Sequence, residues 1–328
     1  MNLPLGNDAA HAQFAAAMAS GSLHHAWLFA GPEGIGKASF ARIAALRLLA
    51  EAAAPGRLPA GFDVPADNRT RSLIAVGSHP DYRELVRQPK EGDKTGLDLA
   101  RSIPIAQVRG LIPMLSTRPS MSDRRVIVID SIDDLERPGA SNALLKNLEE
   151  PPQGTIFLLV SHAPGRLLPT IRSRCRMLRF EPLGNEVLAD IVRTALPTAS
   201  AAEIAALVRA GQGSPGRALG FAGLDMAALE AALAAIAGDG DPSNARRSRL
   251  AKLLAPKAAQ ARYEAFLDRA PGFIADAAPS RSGEALRIAL DAYDAARNLA
   301  GAARGLSLDA QATVFEMAGL VARLAPAR

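Results

Sequence analysis

The chain has 328 residues, 48% apolar and only 4% aromatic, so its core must be packed from Ala, Leu, Ile and Val, in two or three domains rather than one. Its single cysteine, Cys175, excludes a disulfide or a cysteine-built metal cage within the chain, and Arg or Asp interrupts every apolar run short of bilayer length. A formal charge of +5 without a basic tail is compatible with a phosphate-backbone partner but does not demand one. Residues 1–6 show no basic stretch leading into an apolar core, so no secretory signal is expected and the reading is cytoplasmic.

A short helix is predicted over 9–18 and a buried strand over 26–30. Gly31, Gly34, Gly36 and Lys37 follow, and an apolar-periodic helix runs on from Ala38 to about Leu49. Strand, glycine loop and helix is the context in which backbone N–H groups can cradle phosphates, with Lys37 and the helix N-terminus adding positive potential. One position departs from the pattern. The residue after the lysine should carry a hydroxyl for magnesium, and it is Ala38. Ser39 points about 100° away around the helix.

Pro55, Gly56, Pro59, Gly61 and Pro65 mark a loop, and the pattern stays weak until a strand over 82–86. Residues 89–97 read as a mobile hairpin or loop. His79 and His162, each isolated, read as structural. A helix is expected to begin near Pro104, where a missing N–H costs nothing. Val126, Ile127, Val128 and Ile129 make a strand buried on both faces, closed by Asp130 at its C-terminal edge. Asp130 is followed by Ser131, and Asp133 and Asp134 read as solvated or capping groups. A helix over 142–150 has an apolar face of Ala143, Leu144, Leu145 and Leu148 and is stopped by Pro151 and Pro152. Another buried strand over 155–161 leads through Leu168 and Pro169 to Ser173, Arg174 and Cys175, and an edge-type strand over 176–180 closes the first domain.

Two short helices over 187–196 and 201–210 precede a break at 211–216 and Arg217. Beyond Asp225 the chain is helical, over 226–237, 246–254, 258–269, 284–300 and 308–324. Breakers at 238–242, Pro271–Gly272 and Pro279 separate these helices, and Ser307 is expected to cap the last one, with Asp309 in its first turn. No cluster of catalytic residues occurs there, which suits an interaction module.

The strand ending at Asp130, the 142–152 run, the strand ending at Ser161–His162 and the 168–175 run together resemble the clamp-loader branch of the AAA+ ATPases. That resemblance implies an α/β fold: an AAA+ P-loop NTPase-like parallel sheet over 1–181, a three-helix lid over 182–224 and an all-α oligomerisation collar over 225–328. It implies a nucleotide pocket of Gly31, Gly34, Gly36, Lys37, Asp130 and Ser161, with Arg217 at the second sensor position, touching the γ-phosphate in active relatives. Working ATPases of the family place a glutamate where this chain has Ser131. With Ala38 this makes two independent departures in one pocket, so hydrolysis is not expected, no cofactor is required and ATP or ADP binding is doubtful. Relatives often carry a cysteine-rich zinc insertion near 51–100, and none is expected here. Arg174 becomes the candidate catalytic residue, acting in trans on a neighbouring subunit's ATP, and Arg109 the candidate DNA contact. The implied partners are the motor (gamma/tau) and delta subunits of the DNA polymerase III clamp loader, the sliding clamp through that complex, and primer-template DNA, with no membrane. Two other functions stay open on the residues: an active P-loop ATPase using Ser39 or another acid, and a DNA-binding scaffold that never meets nucleotide.

Overall fold

Five strands form a parallel sheet in the first part of the chain, three of them apolar runs and the two outer ones mixed: β1 (Ala26–Ala30), β2 (Tyr82–Val86), β3 (Arg125–Asp130), β4 (Thr155–Ser161) and β5 (Arg176–Arg179), in spatial order β2-β3-β4-β1-β5. The computed structural model describes residues 3–90, 92, 99–306 and 308–326. Most of the 89–97 loop expected from the sequence lies outside these residues. Around the sheet stand α1 (Asp8–Ala19), α2 (Lys37–Ala53), α3 (Arg69–Ala75), α4 (Ile105–Arg109), α5 (Ile112–Leu115), α6 (Gly139–Glu149) and α7 (Pro169–Arg172). Register brings the functional strand ends level. Ala30 lies opposite Ser161, and Asp130 opposite both Val160 and Val86.

Side chains alternate across each strand, so one face of the sheet carries Trp27, Phe29, Val126, Val128, Leu158 and Val160 and the other Leu28, Ile127, Ile129, Phe157 and Leu159. Both faces are covered, which is why these strands read as continuous apolar runs. Phe14 of α1 and Phe40 of α2, both fully buried, fill the first face in an aromatic group with Phe29, Phe62 and Phe180. Truncating Phe40 to Ala would cost about 3–5 kcal/mol. The other face is filled by Val108, Leu115, Leu144, Leu148 and Ile171. Entry to and exit from this unit are tied together: Asn7 Nδ2 donates to the Glu181 carbonyl at 3.1 Å, and the Glu181 N–H donates to Asn7 Oδ1 at 2.7 Å.

The sequence leaves α3 unassigned. It is set by Asn68, whose side chain accepts the N–H groups of Thr70 and Arg71, a cap visible only once Leu73 and Ile74 are read as one short turn. Asp81 is fully buried and takes the N–H groups of Ser120 and Met121, while His79 accepts the Asp81 N–H, so this histidine is structural.

Contacts divide the chain into Met1–Leu183 and Gly184–Arg328. The second unit is helical: α8 (Asn185–Ala195), α9 (Ala201–Gly211), α10 (Pro215–Gly220), α11 (Met226–Asp239), α12 (Ala245–Leu254), α13 (Gln260–Ala277), α14 (Gly283–Leu306) and α15 (Ala310–Ala322). One apolar core runs from Leu188 to Leu324 through all of them, rich in Ala at Ala289, Ala292, Ala296 and Ala300, which lets helices approach closely. Pro271 and Gly272 do not end a helix as expected; α13 continues through them. Both residues are buried in the helical core, and Gly272 makes room for a neighbour: a Cβ at that position would meet Gln212 Nε2 at 2.4 Å. Ser307 lies outside the described residues, and the cap of α15 is Asp309, which accepts the Ala312 N–H at 2.7 Å. Among the described residues no helix is long and apolar enough to cross a membrane.

Candidate functional site

The glycine loop follows β1 and feeds α2 at Lys37. Gly34 and Gly36 have φ values of 76° and 96°, which L side chains rarely adopt. A Cβ at Gly31 would meet the Phe180 carbonyl oxygen at 2.2 Å, so that position needs glycine for close approach. The loop has the shape of a phosphate cradle. Its lysine, however, is only 2% exposed and is turned inward: Nζ donates to the carbonyl of Gly31 at 2.7 Å and to that of Pro32. Burial pulls the Lys37 ammonium down to about 8, against an upward pull from Glu33, Asp130 and Asp133.

The metal side of the cradle does not fit magnesium. Ala38 offers no ligand, and one turn further along the same helix face comes Arg42. Arg42 Nη2 lies 3.1 Å from Asp130 Oδ2 and 2.6 Å from Glu84 Oε1, and its Nε donates to the same Glu84 oxygen at 2.7 Å. Tyr82 donates to the other Glu84 oxygen at 3.2 Å. Burial raises the Asp130 carboxyl above its ordinary value, and Arg42 partly offsets this. A permanent cation belonging to the chain thus sits on the carboxylate that a divalent ion would need. Arg42 is the residue that sequence reading misses. Its signal is the four-residue step from Ala38, but Glu84 and Asp130 meet it only because β2 and β3 are adjacent.

The rest of the pocket is also turned inward. Ser131 is buried, and its hydroxyl donates to Asp134 Oδ2 at 3.1 Å, while Asp134 pairs with Arg87 Nε at 3.2 Å. Asp133 accepts the Ser161 hydroxyl at 3.1 Å and the His162 N–H at 2.5 Å. Asp133 and Asp134 are therefore neither solvated nor helix caps; they tie the turn after β3 to the end of β4 and to Arg87. His162 Nδ1 is buried without a partner among the described residues, and burial with Lys37 nearby lowers its basicity. Gly31, Gly34, Gly36, Lys37, Asp130 and Ser161 are brought to one edge of the sheet, where the side chains of Lys37, Asp130 and Ser161 are taken up by backbone carbonyls, Arg42 and Asp133.

Arg174 stands on the turn between α7 and β5. Its Nη2 is 2.8 Å from Glu149 Oε1 and its Nη1 donates to the Thr170 carbonyl at 2.9 Å, with about a third of the side chain exposed. The neighbouring Cys175 thiol is pushed up to about 12 by burial and is no nucleophile. Arg109 ends α4, exposed and without a hydrogen-bond or ion-pair partner among the described residues. Arg217 belongs to the second unit, where it donates to Gln212 Oε1 and to the Asp268 carbonyl, each at 3.0 Å, joining α10 to α13.

Residues 6–184 match the family model described as DNA polymerase III, delta subunit. DNA polymerase III subunit delta' of Pseudomonas aeruginosa is 35% identical over 191 residues, 58% of this chain and 53% of that protein. The delta' subunit of Escherichia coli K12 is 32% identical over 201 residues, 61% of this chain and 55% of that one. DNA polymerase III subunit gamma/tau of Mycobacterium tuberculosis H37Rv is 32% identical over 215 residues, 64% of this chain and 34% of that protein. The chain thus spans about half the length of the delta' relatives it matches. Among solved structures, RuvB of Thermotoga maritima covers 95% of this chain and 86% of its own at 14% identity and a TM-score of 0.43, a likeness too slight to bear weight.

Proposed function

Because the chain belongs to the DNA polymerase III delta-subunit family, we propose that it is a non-hydrolysing subunit of a clamp loader, working in the cytoplasm. The single observation that carries this is the Arg42–Asp130 pair beside Ala38 and Ser131. Hydrolysis needs a metal to bridge the phosphates and a group to orient water. Here the carboxylate is neutralised by a guanidinium and the water-orienting position is a serine turned to Asp134.

What the chain offers instead is Arg174, a fixed-charge planar donor at the edge of the unit. In this reading it reaches a nucleotide bound by a neighbouring gamma/tau-type motor subunit and stabilises charge as the γ-phosphoryl group transfers. The second unit assembles with motor and delta subunits, and the complex opens a sliding clamp on primer-template DNA, with Arg109 as the phosphate contact of this chain. Arg217 acts as a strut within the second unit rather than as a sensor.

The test is a pair of measurements. The isolated chain should show no magnesium-dependent ATP turnover with or without DNA, and the reconstituted complex should lose ATPase and clamp loading when Arg174 is replaced by Ala, with its size unchanged. Brisk turnover by the chain alone would sink the proposal and support a P-loop ATPase instead.

A further inference from the structure

Arg174 is gripped at both ends. At its base, Ile171 is 2% exposed and Cys175 packs against the same apolar cluster, so the backbone on either side is anchored. At its tip, Glu149 and the Thr170 carbonyl hold the two η nitrogens. Glu149 closes α6 and Thr170 lies in α7, and Leu144, Leu148, Leu167 and Ile171 lock those helices together in one core. The last turn of a helix disfavours an added negative charge, because its carbonyl oxygens are unpaired there. A carboxylate at that place is balanced by the guanidinium beside it.

A guanidinium has five N–H groups in a planar fork. The Arg174 Nε donates no hydrogen bond among the described residues, and N–H groups on the η nitrogens are left for an arriving oxyanion. A long arginine normally surrenders rotamer freedom when it docks, and a side chain already held surrenders less. We propose that Glu149 is a positioning residue, holding Arg174 aimed at a phosphoryl oxygen of a nucleotide bound by the neighbouring subunit. This rests on the reading of Arg174 as a finger acting in trans. Glu149 touches neither substrate nor metal; it acts through the arginine.

The experiment uses the full chain in the reconstituted complex, with Arg174→Ala, Glu149→Gln, Glu149→Ala and Glu149→Asp compared by kcat, KM for ATP, complex size and thermal melting. A half-exposed ion pair sets the scale at about two- to fivefold. The expected result is a severe loss of kcat in Arg174→Ala and a loss of about two- to fivefold in Glu149→Gln and Glu149→Ala. KM, size and melting should be unchanged in the Glu149 variants, and activity should be partly recovered in Glu149→Asp. Wild-type or faster turnover in the Glu149 variants, while Arg174→Ala is crippled, overturns the positioning role and leaves the finger standing. A kcat loss matched by a loss of assembled complex also overturns it, as a structural effect. Wild-type turnover in Arg174→Ala overturns the finger itself, and Glu149 with it.

Discussion

Asp130 and Arg174 are both partly exposed charges on the same unit, yet their surroundings treat them oppositely. Asp130 is answered by Arg42 across the helix–sheet junction, and its neighbours Lys37, Ser131 and Ser161 are answered by backbone carbonyls, Asp134 and Asp133. Arg174 is held by Glu149 and Thr170 but keeps donors to spare. A glycine loop can therefore keep the outline of a phosphate cradle while the charges around it are paired within the chain. In the proposed role, Arg174 depends on the N–H groups that its contacts with Glu149 and Thr170 leave over.

The strongest way to break this comparison is at Arg174. Arg174→Lys should recover almost none of the rate lost in Arg174→Ala, about 10³-fold or more at the site it serves, because an ammonium cannot reproduce the planar fork; single-turnover ATP hydrolysis by the complex measures it. Next comes Arg42. Arg42→Ala leaves Glu84 and Asp130 facing each other and should cost about 1–2 kcal/mol in urea unfolding, less than a fully buried pair because Arg42 is a third exposed. Ala38→Thr alone should not create magnesium-dependent nucleotide binding, whereas Ala38→Thr with Arg42→Ala should move in that direction, by calorimetric titration.

A smaller effect is expected at Lys37. Its amine should titrate near pH 8 by NMR of the side chain, well below an ordinary lysine. The folded state then binds fewer protons than the unfolded chain between about pH 8 and 10.5, so stability should rise with pH across that window, and Lys37→Met should flatten the rise. Smallest is His11, 4% exposed, stacked on Phe40, with neither ring nitrogen partnered among the described residues and its basicity lowered by burial. Folding holds it neutral, so stability should fall as pH drops below 6.5, and His11→Leu should remove part of that fall in acid-unfolding curves.

Much of this was legible along the chain. Unbroken apolar runs announce the strands buried on both faces, β1, β3 and β4, and the expected bounds of β1, β2 and β4 are the ones seen. Ala38 and Ser131 can be read as departures from the family pattern because both are judged against residues next to them in sequence. Arg42 could not be read that way. Its partners lie 42 and 88 residues away and come within reach only through the order of the strands. The fate of Asp133 was hidden for the same reason, since Ser161 and His162 arrive from another strand. Pro271 misleads in the opposite sense, because the local rule that proline ends a helix yields here, in a helix buried against the rest of the core.

The reciprocal bonds between Asn7 and Glu181 carry a practical consequence. They buckle the two ends of the sheet unit to each other, and the stretch between them nearly coincides with the 6–184 segment shared with the polymerase family. Such a piece brings its own fastener, so it can be lifted out as a cassette, or joined to a foreign helical tail, and should still melt as one cooperative body.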